Sequence, residues 1–184
     1  MTPWLEAWAE TGISPEAAQR AFDGLPPVSP EAMFGAWRGS ELPTGHPLDG
    51  LLALYGWRGK RFTDVDTVDP LLFDHHGAAV AVHPGRLPLG VALVLPRIAR
   101  TEAARALFQL VLPLLTTRGP RARLRMVEQA GQISAAMVYD DLPIIDHFRR
   151  VDETRLLGLM DLRSTSRPFF FLLTREAAAP EAAV

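Results

Sequence analysis

The clearest pattern in the chain is an alternation of polar and apolar residues in its last third. From 121 to 129, arginine occupies alternate positions at first, with apolar residues between. A period of two is typical of a β-strand with one face towards a core. Comparable strands, separated by turn residues, are predicted at 132–139, 145–151, 154–162 and 168–174. This part of the chain therefore predicts an antiparallel β-meander.

The first part of the chain carries signals for helix starts. Ser14 followed by Pro15 is typical of a capped helix, which we expect to run to about Phe22. Ser29 followed by Pro30 predicts a second, shorter helix through residue 34.

The middle of the chain adds helices and short strands. Apolar spacing predicts helices from His46 to about Tyr55 and from Thr101 to Leu112. Strands are predicted at 35–39, 56–62, 71–74, 78–83 and 90–95. With the meander, the chain has about ten strands, enough to close a small barrel around a cavity. The predicted fold is α+β and mainly antiparallel, with helices flanking a β-barrel.

Length and composition are those of an ordinary globular domain. The chain has 184 residues, of which 48% are hydrophobic and 22% are charged. We expect one domain over 1–176 and a disordered tail over 177–184. The sequence shows neither a secretory leader nor an apolar run of about 20 residues, so the cytoplasm is the expected location.

Charge is spread unevenly, which narrows the expected ligands. Residues 97–125 hold seven arginines and one acid, whereas the first 50 residues hold seven acids and two arginines. A local basic zone favours a ligand with an anionic group over nucleic acid. The chain has no cysteine, and the adjacent His75 and His76 would point to opposite sides of a strand. We therefore expect no metal, no cofactor and no nucleic-acid partner.

Two tryptophans, Trp37 and Trp57, each lie between glycines and precede an arginine. They are either aromatic walls of a cavity or core residues packed beside glycine. In the first interpretation, Arg58, Lys60 and Arg61 are candidates for contact with the polar end of a ligand.

The arginines of the predicted strand are a second candidate site. Arg121, Arg123 and Arg125 must share one side of the strand, about 7 Å apart at a rise of about 3.3 Å per residue. Guanidinium groups suit phosphate or carboxylate. The alternative is a solvated outer face paired with acids of neighbouring strands, and the alternation leaves open which side faces inwards.

A polar cluster follows the next strand, formed by Tyr139, Asp140, Asp141, Asp146 and His147. Tyr139 and His147 are candidate ligand-binding residues. Paired carboxylates beside a histidine also suit acid–base chemistry, although two aspartates before Leu-Pro equally make a turn. No catalytic residue is assigned from this pattern.

The predicted helix over 101–115 is very apolar, with arginines on both flanks. It is either a lid over a barrel mouth that makes transient contact with a membrane surface, or a helix packed on the protein's own core.

Several motifs in order resemble a known family. Residues 35–39 read GAWRG, residues 43–51 read PTGHPLDGL and residues 56–62 read GWRGKRF, as in GXWXG proteins. The stretch 121–161 is similar to the domain of unknown function usually fused to that segment. The resemblance implies a GXWXG segment over about 20–75, a C-terminal part over about 121–175 and a lipocalin-like barrel, for which lipid binding has been proposed.

Together these observations favour non-catalytic binding of a hydrophobic or amphipathic anionic ligand, such as a phospholipid or fatty acid, in a barrel cavity. The alternative is an enzyme that acts on a small hydrophobic substrate through Asp and His residues. The side chains expected to line or pack the interior are Leu124, Met126, Phe148, Met160, Phe169 and Phe171.

Overall fold

The chain folds into one antiparallel β-barrel, with helices on its outer wall and across one end. The computed structural model describes residues 3–177. Its strands are β1 (Gly35–Leu42), β2 (Trp57–Phe62), β3 (Val68–His75), β4 (Ala78–Ala81), β5 (Ala122–Gln129), β6 (Gln132–Tyr139), β7 (Ile144–Arg150), β8 (Arg155–Leu162) and β9 (Phe169–Arg175). Its helices are α1 (Pro3–Thr11), α2 (Pro15–Asp23), α3 (Leu51–Leu54), α4 (Leu89–Val94), α5 (Pro96–Ala99) and α6 (Glu102–Leu115).

The strands form a single nine-stranded sheet that closes on itself. Their order is β2-β1-β9-β8-β7-β6-β5-β3-β4, and the additional pairing of β2 with β3 completes the barrel. β4 extends the sheet beyond β3. The predicted fold, α+β with a mainly antiparallel barrel, is confirmed, and the GXWXG segment and the C-terminal meander contribute strands to the same wall. The predicted tail lies outside the described residues, apart from Ala177.

The prediction of a strand at 90–95 is wrong, because this segment forms α4. Leu89, Ala92 and Leu93, spaced as on one helix face, pack against the barrel core, whereas Val91 and Val94 are exposed. A short apolar run fits a strand or a helix equally well, and packing decides between them.

The helix over 15–23 is confirmed in its start, its cap and its end. The amide of Ala17 donates a hydrogen bond to the Ser14 hydroxyl at 3.2 Å, and the helix runs to Asp23. The segment after Ser29 forms only a 3₁₀ turn over Glu31–Met33. The helix predicted from residue 46 is limited to α3, and α1 was not predicted.

Two apolar clusters lie on the two sides of the barrel wall. The outer cluster packs α1 and α2 onto β8 and β9, where the rings of Trp8 and Phe170 have centroids 5.5 Å apart. The inner cluster fills the barrel and includes Leu124, Phe148, Met160, Phe169 and Phe171, as predicted. Met126 was also predicted inside but is 51% exposed. β5 is paired with β3 only at Val68 and Ala122, so Met126 lies beyond the part of β5 that β3 covers.

Glycines allow β1 and β2 to approach closely. A Cβ atom on Gly39 would lie 2.2 Å from the ring of Trp57, and a Cβ on Gly59 would lie 1.9 Å from the carbonyl oxygen of Trp37. Gly59 also has a φ of +143°, which side chains rarely adopt. The spacing of glycine and tryptophan therefore permits large rings to lie flat against the neighbouring backbone.

The two ends of the barrel are closed in different ways. At the helical end, β6 finishes and β7 begins beside helices α3 to α6, and we call α4, α5 and α6 together the cover. At the N-terminal end, Val28 and Met33 from the segment before β1 are buried in the interior. There the Ala135 amide donates to the Val28 carbonyl at 2.9 Å.

Candidate functional site

A charged pair is buried inside the barrel. The Lys60 ammonium lies 2.8 Å from the Asp146 carboxylate, and the two side chains are only 3% and 1% exposed. Lys60 belongs to β2 and Asp146 to β7, so the pair joins the two halves of the sequence across the interior. Charged side chains are seldom buried so completely in an apolar core, which makes this pair the first candidate for a functional role.

Tyr139 completes the arrangement, and we call Lys60, Asp146 and Tyr139 the interior triad. Lys60 Nζ donates to the Tyr139 hydroxyl at 3.3 Å and to the Pro70 carbonyl at 3.1 Å. The Tyr139 hydroxyl in turn donates to Asp146 Oδ2 at 3.4 Å. Tyr139 is the last residue of β6, so the triad lies towards the helical end.

Aromatic rings surround the ammonium group of the triad. Lys60 Nζ lies 5.0 Å from the ring centroid of Phe171 and 5.7 Å from that of Trp57, distances at which cation–π attraction operates. Asp146 Oδ1 and the indole nitrogen of Trp57 are both buried and have no hydrogen-bond partner among residues 3–177. The site therefore retains one unused acceptor and one unused donor.

Burial governs the electrostatics of the triad. Desolvation lowers the pKa of Lys60, and the nearby Asp146 carboxylate opposes this effect. Desolvation raises the pKa of Asp146 against the opposing influence of Lys60. The pKa of Tyr139 is raised well above its ordinary value, first by burial and then by the Asp146 charge. Each of these pKa shifts favours the uncharged form of its group.

Strand alternation explains why Asp146 faces inwards. It lies between Ile144 and Phe148, which both belong to the inner cluster, and so shares their side of β7. The sequence alone already places this carboxylate at an inward-facing, otherwise apolar position of the strand. Lys60 is harder to orient from sequence, because the pairing of β2 with β3 is irregular around Gly59.

Arg121, which directly precedes β5, and Arg123 and Arg125 of β5 lie on the outside of the barrel. They form ion pairs with acids: Arg121 with Asp141 at 3.7 Å, Arg123 with Asp140 at 2.8 Å and Arg125 with Asp66 at 2.7 Å. Of the two interpretations of these arginines, the structure agrees with the second, a solvated outer face on which acids of neighbouring segments compensate the charge. It does not bring these arginines to the interior triad.

The basic residues beside Lys60 also face outwards. Arg58 pairs with Asp74 at 3.4 Å and with Glu176 at 3.3 Å, and Arg61 pairs with Asp69 at 3.7 Å. Lys60 points to the other side of the strand. Alternation accounts for its opposition to Arg61, whereas Arg58 and Lys60, two positions apart, face opposite sides because the pairing of β2 with β3 shifts register around Gly59.

The two predicted tryptophans are both buried in the inner cluster. The ring of Trp57 lies 5.7 Å from Lys60 Nζ, and Trp37 is the cross-strand partner of Lys60 on β1. Trp37 donates from its indole nitrogen to the Met33 carbonyl at 2.6 Å. Its ring also contacts the guanidinium of Arg175, 4.2 Å from the centroid. These contacts place its ring near the N-terminal end.

His147 lies on the opposite side of β7 from Asp146. It lines a cavity of about 160 Å³ on the outer wall, together with Gln19, Asp161 and Arg167. Burial lowers the pKa of His147. The predicted acid–base cluster is therefore divided among three places, since Asp140 and Asp141 pair with arginines outside, Asp146 is in the interior and His147 lines the outer cavity.

A second cavity, of about 560 Å³, lies on the outer wall beside Arg38, Arg58 and Glu176. Neither cavity reaches the interior triad. Within the described residues, no group of three or more His, Asp or Glu side chains is placed to hold a metal ion. No helix in the same part of the chain has the length and apolar character needed to cross a membrane.

Comparison with known proteins agrees with this architecture. A crystal structure of a protein from Thermomonospora curvata is similar with a TM-score of 0.65 and 34% sequence identity, over 88% of this chain and 87% of that one. No curated protein matches the chain. The family model "GXWXG protein" matches residues 20–77, and "Domain of unknown function (DUF4334)" matches residues 120–175. The chain therefore belongs to the GXWXG protein family, with the GXWXG segment followed by the DUF4334 domain.

Proposed function

We propose that the protein binds, without catalysis, an amphipathic ligand with an anionic head group, such as a fatty acid or phospholipid, at the helical end of its barrel. The observation that carries this proposal is the ammonium group of Lys60, which is buried in an apolar, aromatic-lined interior. A barrel of about eight strands is also of the size that holds one small ligand, as in lipocalins. The head group would lie at Lys60 and the tail would extend towards the cover.

Charge balance determines how an anionic head group would fit. Lys60 is already paired with Asp146, and a second anion beside this pair would be repelled. Burial raises the pKa of Asp146, so this carboxyl can take up a proton when the ligand arrives. Lys60 and the Tyr139 hydroxyl then donate hydrogen bonds to the ligand, and the net charge of the site stays the same.

The tail has apolar surroundings at the helical end. Leu89, Leu93, Phe108 and Leu112 of the cover pack against the inner cluster at this end. The hydrocarbon tail of the ligand would take the place of these apolar side chains against the inner cluster. Its burial contributes roughly 0.8 kcal/mol of binding free energy per methylene. Binding consequently requires the cover to move away from the barrel.

A titration of purified, delipidated protein with oleate at constant pH tests the position of the head group. Lys60→Met is expected to weaken binding at least about tenfold, since hydrogen bonds to charged groups contribute about 1.5–3 kcal/mol. Arg123→Met, which removes a cation from the outer wall, is the matched control and should leave the affinity unchanged. Equal affinities of all three proteins, or no binding to wild type, would reject the proposal.

The pH dependence tests the exchange of protons. If Asp146 takes up one proton per ligand, affinity should rise about tenfold for each pH unit between pH 8 and 7 as the pH falls. Asp146→Asn cannot take up this proton, so the rise in affinity that Asp146 causes between pH 8 and 7 should be lost, and any that remains would come from Lys60, whose pKa burial lowers. A steep pH dependence that persists in Asp146→Asn would place the proton elsewhere.

The alternative, an enzyme acting on a small hydrophobic substrate, has less support from the geometry. Its predicted acid–base residues do not share one cavity. His147 and Asp161 line the outer cavity together, and this is the observation that keeps the alternative open. Modification of a substrate that survives Lys60→Met but is lost in His147→Gln would favour it.

A further inference from the structure

The outer side of the cover is unusually apolar for a protein surface. Seven large apolar side chains on it are between 47% and 77% exposed: Val91, Val94, Leu95, Ile98, Leu107, Leu110 and Leu114. Few other large apolar side chains in the described part of the chain reach such exposure. Scattered exposed apolar residues are normal, but a concentration on one element indicates an interaction surface.

Helix α6 shows the pattern most clearly. Leu107, Leu110 and Leu114 recur at the spacing of one helix face. On the other side, Phe108 and Leu112 pack against the barrel interior. Apart from the polar stripe of Glu102, Arg105 and Gln109, the helix thus has apolar side chains on two sides. The barrel covers one of these sides, and no segment within residues 3–177 covers the other.

Positive charge accompanies this apolar face. Between residues 86 and 118 the sequence contains five arginines and a single acid, Glu102. The side chains of Arg97 and Arg105 are exposed and make no ion pair or hydrogen bond with any residue that the structure describes. Arg100 is tied to the backbone oxygens of Pro47 and Asp49, at 3.0 and 2.7 Å, but keeps its charge without an acid partner.

We infer that the cover docks onto the surface of an anionic lipid bilayer, with the apolar face of α4 to α6 inserted at the level of the headgroups. Apolar side chains flanked by arginine are the composition of helices that lie in a membrane interface. A second copy of the chain fits less well, because it would bring two arginine-rich rims together. This inference does not depend on the proposed ligand of the barrel.

Flotation with vesicles of phosphatidylcholine, alone or with phosphatidylglycerol, tests the docking. We expect binding to the anionic vesicles only, weakened when the salt concentration is raised well above about 0.1 M, where the Debye length is about 10 Å. The double variant Leu107→Asp with Leu110→Asp should bind at least about tenfold less. Ile133→Asp, at a site 58% exposed on the far end of the barrel, is the matched control and should bind as wild type does.

A second double variant tests whether docking depends on the arginines of the cover. Arg97→Gln with Arg105→Gln should reduce binding to anionic vesicles about tenfold or more, since each arginine near an anionic surface contributes measurably. All these positions are exposed, so thermal unfolding should be close to wild type and loss of fold is separable from loss of docking.

Three results would overturn the inference: equal binding to neutral and anionic vesicles, no effect of the leucine substitutions, or a dimer in solution that Leu110→Asp dissociates while vesicles are not bound. Oleate titration of the same leucine variant separates the two proposals. If the leucine variant binds oleate as wild type does but no longer floats with vesicles, the result supports docking independently of the ligand. If wild type floats with vesicles but does not bind oleate, only the proposed ligand is rejected.

Discussion

Removing one member of the buried Lys60–Asp146 pair should destabilise the protein far more than removing a similar pair on the surface. In Lys60→Met, Asp146 keeps only the Tyr139 hydroxyl, at 3.4 Å. In Asp146→Asn, the ammonium keeps the Pro70 carbonyl and Tyr139. Because both side chains are almost fully buried, each single change should lower the free energy of unfolding by about 3–5 kcal/mol at pH 7.

The double variant Lys60→Met with Asp146→Asn removes both charges together. It should be more stable than either single variant, because no uncompensated charge is left in the interior and Tyr139 can still donate to the new amide. The surface pair Arg123–Asp140 has the same 2.8 Å separation but side chains that are 50% and 33% exposed. Disrupting that pair is the control and should change stability by about 0–1 kcal/mol.

The two single variants should respond to pH in opposite directions. In Lys60→Met, the buried Asp146 carboxyl has a pKa raised above its unfolded value of about 3.9, so stability is greatest below that pH and falls as pH rises towards the folded pKa. In Asp146→Asn, the pKa of Lys60 is lowered below its unfolded value of about 10.4. Stability is then greatest above that pH and falls as pH decreases towards the folded pKa.

Urea unfolding followed by tryptophan fluorescence, from pH 5 to 9, measures these differences against wild type. Coincident transitions by circular dichroism would establish that unfolding is two-state. If both single variants lie within about 0.5 kcal/mol of wild type and show no opposite pH trends, the charges are not buried as described. In that case the head-group site would also lose its basis.

Two further changes test the packing described above. Gly39→Ala should destabilise by about 1–3 kcal/mol in urea unfolding, because the added Cβ would overlap the ring of Trp57 at 2.2 Å, and near-ultraviolet circular dichroism should show the indole displaced. A wild-type midpoint would mean that the ring does not lie on this glycine. Ser14→Ala should lower the free energy of unfolding by about 1 kcal/mol through loss of the α2 cap, whereas Ser14→Asp should retain stability.

Local signals were sufficient to predict much of the barrel. The strand β6 has the predicted bounds and β2 starts one residue later than predicted, because a glycine, Gly131 or Gly56, directly precedes each strand. The segment that became α4 was misjudged since its apolar run is short enough for either structure, and only its packing under the barrel end selects the helix. Closure between β2 and β3 depends on residues far apart in sequence, so no local pattern contains it.

Some residues of the candidate site were named from the sequence, but not their arrangement, and Asp146 was named only for acid–base chemistry. Lys60, Trp57 and Tyr139 were all named, and the structure gathers them around Asp146. These side chains come together because β2 and β7 face each other across the barrel interior. The alternation within a single strand does not predict which strands face each other. The arginines at 121, 123 and 125 show a second limit of sequence analysis. The period of two predicts that they share one side of the strand, but not which side, because the acids that pair with them come from other segments.

The different closure of the two barrel ends determines where a ligand would enter. Main-chain hydrogen bonds tie the segment before β1 to the N-terminal end, for example from Arg150 to the Pro26 carbonyl at 2.9 Å. The C-terminal end of the cover is also tied by the main chain, from the His83 amide to the Leu115 carbonyl at 2.9 Å. The rest of the cover is held by side chains, such as the Tyr55 hydroxyl on the Ala99 carbonyl at 2.6 Å. Segments held in this way open at lower free energy than paired backbone does. The interior triad lies towards the end that opens more easily.

Helix α6 connects this opening with docking at a membrane. If the cover swings away in water, Phe108 and the other inner side chains become exposed in addition to the outer leucines, which raises the free energy of the open state. At a bilayer surface both apolar faces of the helix can be buried in the interface. Contact with a membrane would therefore lower the free energy of opening at the place where an acyl chain must enter.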